Sequence, residues 1–274
     1  MREIENKIKV FINGLLLHPM IQKLKLVDDK GITVSTHTYD VLKVATKKIK
    51  KKYRDDLDEA SEHLDLFAIV VGIIIHDTTK ASLRLNGSKT SHSIAMKKQS
   101  DMVQDEARFI LEEVENFTKL IIKDEIFENI IHIVASHHGK WGKVIPQTEE
   151  ALIVHEADKY SAVFHRITPI GGREVVKLMS EGFSREEIAK VTGYTVGIID
   201  DRLKRSKKQL NINSNKALID YYEENGAIPE GDEFFSRRIR ETEKLLKKVE
   251  QVGFEELILK NVLIDNIYAG DVFK

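Results

Sequence analysis

Apolar and polar residues repeat with a helical period through most of the first 165 positions. Residues 38–53 (TYDVLKVATKKIKKKY) place Val41, Val44, Ala45 and Ile49 on one face and lysines on the other. Residues 101–122 form a longer amphipathic segment, with Phe109, Ile110, Val114, Phe117 and Ile121 at helical spacing. The stretches 125–138 (EIFENIIHIVASHH) and 149–164 (EEALIVHEADKYSAVF) repeat the pattern. The one long apolar run, Leu66 to Ile75 (LFAIVVGIII), contains β-branched residues that would also suit a buried strand. Helices predicted on both sides, with no partner strand, favour a buried central helix. The run falls well short of the ~20 residues that span a bilayer, so it predicts a core element rather than a membrane segment.

Loops are predicted at Val27–Ser35, Arg84–Thr90, Gly139–Thr148 and Pro169–Arg173, where glycine, proline and short polar residues cluster. After the last of these the chain changes to short helices rich in Lys, Arg and Glu. The expected organisation is therefore all-α: a helical bundle over 1–168, a short segment over 169–212, and a helical tail over 213–274. The lysines at 47–52 (KKIKKK) read as a solvated helix face or, less simply, as phosphate contacts. The N-terminus carries acidic residues early and lacks the apolar region of a signal peptide, which predicts a cytoplasmic protein.

Composition narrows the chemistry. A chain of 274 residues is long enough for one large or two small domains with a real core. Forty-three basic against 44 acidic residues predict no global attraction to nucleic acid, although a local basic patch remains open. The absence of cysteine excludes disulfides, a catalytic thiol and any thiolate metal site. Any bound metal would have to be held by imidazole and carboxylate.

Ten histidines are present, and their positions are informative. His37 opens a helix after a Thr/Ser-rich loop. His76-Asp77 ends the most apolar segment (GIIIHDTTK), and His92 lies in a polar turn (GSKTSHSIA). His137-His138 ends another apolar helix just before a glycine (IVASHHGKW), and Asp158 sits among small residues (HEADKYSA). A single histidine on an apolar face is usually a satisfied core residue. A charged aspartate closing GIIIHD is different, because burying it alone is costly without a cation or several hydrogen bonds. Imidazoles and carboxylates converging from several helices are what a divalent metal requires in a cysteine-free bundle.

This ordered pattern resembles the HD superfamily of metal-dependent phosphohydrolases, over roughly residues 15–168. The resemblance rests on LLLHPMIQKL, TVSTHTYDVLKVA, GIIIHDTTK, SHHGKW and ADKYSA. It implies an all-helical bundle with a central metal site in which His37, His76, Asp77 and Asp158 hold a first ion. His92, His137 and His138 match additional ligands of members that bind two ions, with Asp77 bridging. Such patterns are similar to those of HD phosphodiesterases and HD nucleases. The chain departs from the HD-GYP branch, since no Gly-Tyr-Pro follows, and that branch's substrate is not expected.

The resemblance implies one or two divalent ions (Mn, Fe, Co, Ni or Zn) that activate water and clamp phosphoryl oxygens. Asp77 is then central to catalysis. Lys80, one turn later in the pattern HDxxK, either neutralises phosphate charge or is an ordinary helix-end lysine. Among the other histidines, His63 is expected to be exposed and His132 to be a core or boundary residue. His155 shares a helix face with Asp158 and could orient it. Trp141 reads as a loop anchor, with base stacking as the alternative.

Residues 184–210 (SREEIAKVTGYTVGIIDDRLKRSKKQL) open with a capping box, Ser184 with Glu187. Ala189, Gly193 and Ile199 stand at the spacing of two helices crossing at a tight glycine turn. The segment resembles the helix-turn-helix of sigma-factor region four. Arg202, Lys204, Arg205 and Lys208 are the candidate nucleic-acid contacts, opposed by Asp200 and Asp201 in the same helix. In the tail, FFSRRIRETEKLLKKVEQV either packs on the core or forms a homodimer interface. The expected function is hydrolysis of a nucleotide or nucleic-acid phosphodiester. The alternative is a nucleic-acid-binding regulator whose bundle senses a nucleotide without turnover.

Overall fold

The computed structural model describes residues 2–29, 31–88, 90–166, 170–192, 194–228 and 233–274. Lys30, Lys89, Pro169 and Gly193, members of predicted loops and of the predicted tight turn, lie outside the described residues, as do the side chains of Phe234 to Ile239. The chain divides into two units, residues 1–166 with 244–274 and residues 167–243. The stretch 213–274, expected as one tail, is thus shared between them.

From residue 2 to residue 161 run α1 (Arg2–Leu17), α2 (Pro19–Gln22), α3 (Val34–Lys52), α4 (Leu57–His63), α5 (Leu66–Ile75), α6 (Thr78–Leu85), α7 (His92–Lys98), α8 (Ser100–Thr118), α9 (Asp124–Ser136) and α10 (Glu149–Ser161). Among the described residues there is no strand, only isolated bridges pairing Asp28 with Thr33 and Ile122 with Phe273. The all-α expectation holds.

Helix α5 is the axis of the first unit, and every one of its residues is buried. Asp65 starts it by accepting a hydrogen bond from the Ala68 N–H at 2.8 Å. Its uniformly apolar surface lets α3, α9 and α10 pack on different sides. Gly72 permits the closest approach, since a Cβ there would lie 2.6 Å from Ile133 Cγ2 on α9. By length and hydropathy the stretch Leu66–Leu85 could cross a membrane, but 89% of its most apolar window is buried inside the protein, as befits a core helix. On α3 the predicted face Val41, Val44, Ala45 and Ile49 is buried.

Two predicted elements are corrected. On α8 the buried face is Val103, Ala107, Ile110, Leu111 and Val114, whereas Phe109 and Phe117 are exposed; Ile121, also exposed, lies beyond the helix, which ends at Thr118 rather than 122. Positions 109, 113 and 117 form the next row around the helix, so their aromatic residues miss the core. The helix predicted over 149–164 is α-helical to Ser161 and then widens into a π-helical turn, Ala162–Arg166.

The second unit contains α11 (Gly172–Ser180), α12 (Arg185–Thr192), α13 (Val196–Leu210) and α14 (Asn215–Asn225). They enclose a core of their own that includes Val175, Val176, Ile188, Ile199, Leu203 and Leu218. The capping box closes as expected: Ser184 N–H donates to Glu187 Oε2 at 2.8 Å, and Glu187 N–H to Ser184 Oγ at 3.2 Å. Helix α15 (Glu233–Val252) runs through the division at residue 243. Helices α16 (Phe254–Leu259), α17 (Val262–Asp265) and α18 (Ala269–Val272) then complete the first unit. The Phe273 ring lies 5.7 Å from both Phe11 and Phe67, so the C-terminal residues are part of that core.

Candidate metal centre

Four helix ends and two helix interiors deliver polar side chains to the centre of the first unit. His37 comes from the first turns of α3, and Asp158 from the last turn of α10. His76 caps the C-terminus of α5, and Asp77 begins α6. His92 opens α7, and His137 caps α9, with His138 following. Helix ends suit this task because the chain can turn there, letting neighbouring side chains leave in different directions.

The ligand atoms of His37, His76 and Asp158 all lie within 4.8 Å of one another, as do those of His92, His137 and His138. His37 Nε2 is 2.8 Å from Asp158 Oδ1. Asp77 stands between the triads with one oxygen toward each. Its Oδ2 is 3.6 Å from His37 Nε2 and 3.5 Å from His76 Nε2, while its Oδ1 is 3.2 Å from His92 Nε2 and 3.8 Å from His137 Nε2. All seven predicted ligands are thus brought together.

The donor set fits divalent cations. The Nδ1 of His76 lies 2.6 Å from the Ile73 carbonyl and that of His137 lies 2.7 Å from the Val134 carbonyl. A carbonyl only accepts, so these Nδ1 atoms carry the protons and the Nε2 lone pairs face inward. His76 Nε2 is buried without a hydrogen-bond partner, and the Nε2 atoms of His92 and His137 face each other at 3.4 Å. The inward-facing Nε2 lone pairs of His76 and His137 are what a cation would engage. Burial pushes His138 down to about 4 and lowers His92 and His137 as well. All three are therefore neutral near pH 7, the state that donates to a metal.

Lys80 is not a surface lysine. It is buried, with its Nζ 2.7 Å from Asp77 Oδ2 and 3.0 Å from Asp29 Oδ2. Asp29, also buried, is a residue that sequence reasoning missed. It lies in the loop between α2 and α3 with no motif around it, and only its burial marks it. Arg84 also reaches this loop, donating to the Asp28 carbonyl.

His155 does not orient Asp158; its Nδ1 lies 2.6 Å from the His137 carbonyl, so it holds the α9 terminus in place. The same ring fills the space above Gly139, where φ is +54° and a Cβ would lie 2.5 Å from it. His132 is a boundary residue accepting from Gln147 N–H at 2.9 Å, and His63 is exposed, stacked on Tyr53. Trp141 is no anchor: it is 68% exposed, with the Lys140 ammonium 5.1 Å from its ring, and the loop is tied down instead by Lys143 N–H to the Met96 carbonyl. Three lysines of the cluster are paired with carboxylates, Lys48 with Glu156 at 2.7 Å, Lys50 with Asp55 at 3.6 Å and Lys52 with Glu149.

On α13, Lys204, Arg205 and Lys208 are exposed. Arg202 is largely covered, its Nε donating to the Ile170 carbonyl at 3.0 Å and its guanidinium pairing with Asp201 at 3.2 Å. Asp201 also pairs with Arg205 at 3.0 Å, and Asp200 with Arg185 at 2.8 Å.

No curated protein and no solved structure matches the chain. The segment that carries both triads and Asp77, residues 34–163, matches the family model described as the HD domain.

Proposed function

We propose that the protein is a metal-dependent phosphohydrolase or phosphodiesterase acting on a nucleotide or a nucleic-acid phosphodiester. The observation that carries this reading is Asp77, which presents one carboxylate oxygen to each of two ligand triads. That arrangement supports two ions: one held by His37, His76 and Asp158, the other by His92, His137 and His138. Divalent ions in such a pair supply Lewis acidity to phosphoryl oxygens and acidify water for attack. The chain's own contribution is orientation. Backbone carbonyls fix the tautomers of His76 and His137, and Lys80 brings a positive charge to the same carboxylate. With two of its three N–H groups engaged by Asp77 and Asp29, Lys80 keeps one for a substrate phosphoryl oxygen. The exposed ring of Trp141, three residues after His138, supports a nucleobase as the substrate's other half.

The test is metal analysis of the purified protein with a panel of phosphomonoesters, cyclic nucleotides and single-stranded RNA and DNA. Near-stoichiometric transition metal and hydrolysis of a panel member are expected. Absence of bound metal, and of activity after adding Mn²⁺ or Ni²⁺, would refute the reading. Because Trp141 is the single tryptophan, quenching of its fluorescence by a nucleotide checks the base contact directly.

A second reading, nucleic-acid binding by the second unit, is favoured by one observation: the acidic residues of α13 are neutralised by Arg185, Arg202 and Arg205, while Lys204 and Lys208 stay exposed. A gel shift at low salt tests it, since charge reversal at Lys204 and Lys208 should weaken binding and make its loss with salt shallower. Unchanged binding would exclude α13 as the contact surface.

A further inference from the structure

The two segments that carry the second triad also carry a group of exposed lysines. Helix α7 opens with His92 and closes with Lys97 and Lys98. The segment after α9 runs from His138 through Lys140 and Trp141 to Lys143. The two are fixed to each other. The His92 and His138 rings stand 5.0 Å apart and nearly perpendicular, and Lys143 N–H donates to the Met96 carbonyl at 3.0 Å. The second segment also turns tightly on itself, with Trp141 N–H on the His138 carbonyl at 3.2 Å and Gly142 N–H on that of Gly139 at 2.9 Å. Lys97, Lys98, Lys140 and Trp141 are therefore held beside the second triad on hydrogen-bonded backbone, and all four are exposed.

Charge sets this group apart from the other lysine-rich stretch of the first unit. At 47–52, Lys48, Lys50 and Lys52 each have a carboxylate partner. Lys97, Lys98 and Lys140 make no ion pair with a described residue. Lys143 alone reaches a carboxylate, that of Asp101, at 3.9 Å, with both groups largely exposed. Lysines gathered without carboxylates create a local positive field that draws polyanions. Within that field stands an aromatic ring, the Lys140 ammonium lying 5.1 Å from the centre of Trp141.

Cations for a backbone together with a free ring for a base are the two elements by which single-stranded nucleic acid is held. A mononucleotide carries its charge at the phosphate, which the triads would engage, and leaves the lysines of α7 nothing to bind. A duplex has its bases already stacked on both faces and offers none to Trp141. We propose that the substrate is a single-stranded polynucleotide, its phosphates beyond the scissile one lying along Lys97, Lys98 and Lys140 while one base stacks on Trp141. Hydrolysis adds water to phosphorus, breaks one P–O ester bond and passes a proton to the departing oxygen, leaving a phosphomonoester end and a hydroxyl end. The inference rests on the proposed function and names the substrate class of that same site.

The test is binding to the full chain, treated with chelator so that the strand survives. Uridylate and thymidylate strands of one, two, four and eight nucleotides are titrated, and quenching of Trp141, the single tryptophan, is read. Affinity should rise at least ~10-fold from one to eight nucleotides, and the RNA and DNA arms identify the sugar. The variant combining Lys97→Gln, Lys98→Gln and Lys140→Gln alters only exposed side chains. Its octamer affinity at low salt should fall at least ~10-fold, its mononucleotide affinity should not change, and its salt slope should be shallower by about 2, at about 0.7 per phosphate contact on a single strand. Equal affinity for one and eight nucleotides, an unchanged slope in the variant, or a blunt duplex that quenches as the single strand does would each overturn the proposal. Mononucleotide hydrolysis by metal-loaded protein without length-dependent binding would sink this inference and leave the proposed function standing. Length-dependent binding by a protein that takes up no metal would sink the proposed function and leave the strand-binding rim standing.

Discussion

The two triads at the centre of the first unit are built from the same residue types but differ in charge and depth. The first, His37, His76 and Asp158, is buried throughout and contains a carboxylate of its own. The second, His92, His137 and His138, is all imidazole, and His138 is only half-buried. The anion in direct contact with it is the Asp77 oxygen, 3.2 Å from His92 Nε2, on the carboxylate it shares with the first. A dication in a low-dielectric site is stabilised chiefly by anions, so on the proposed reading the first triad would be the stronger holder and the second would depend on Asp77, one carboxylate coupling two sites of unequal strength.

The largest effect follows from removing the shared group. Asp77→Ala should empty both triads and reduce hydrolysis to background, as read by metal content per chain and a phosphodiester assay. Retention of one tightly bound ion would show that the triads are independent. Next come the single triads: His76→Ala should weaken binding at both, whereas His92→Ala should leave one tight ion, with affinity at the second falling by at least ~100-fold. Equal loss in both variants would show that the two triads hold their ions equally well. Lys80→Gln acts on the Asp77 oxygen that faces the first triad. It should keep the metal content and lower kcat by about 10²-fold, the scale for one donor to a developing phosphate charge. A change in metal content alone would make Lys80 structural.

The smallest effect is pH dependence confined to the second triad. Burial lowers His138 to about 4 in the folded protein against 6.5 in an unfolded chain. Between these values the unfolded state binds more protons, so stability is lost as pH falls through this window. In metal-free protein, His138→Asn should remove about 2 kcal/mol of the stability lost between pH 6.5 and pH 4.5. Urea unfolding at the two pH values reads it directly. No difference between variant and wild type would mean that His138 is solvated.

Much of the centre was legible before folding because helix ends announce themselves chemically. An apolar run that stops at His76-Asp77, and another that stops at His137-His138, mark places where buried helices deliver polar groups. Asp29 and Asp40, both buried, carry no such mark. Asp40 sits inside an amphipathic helix where an aspartate is ordinarily solvated, and its burial comes from α10 and the turn after it. The exposed Phe109 and Phe117 are the converse: helical spacing identified a row of apolar residues, but not which row faces the core.

What the sequence by itself determined, then, is the helical class, the position of the buried axis α5, and the list of imidazoles and carboxylates available once cysteine is absent. Periodicity and composition suffice for these, since they are local properties. Only tertiary structure decided the rest: that the last thirty-odd residues close the first core rather than form a tail, that Lys80 is held between two buried aspartates, and that a single carboxylate divides its oxygens between two triads. Each of these depends on which segments distant in the chain share a low-dielectric interior, where an unpartnered charge is costly and a partnered one is fixed in place.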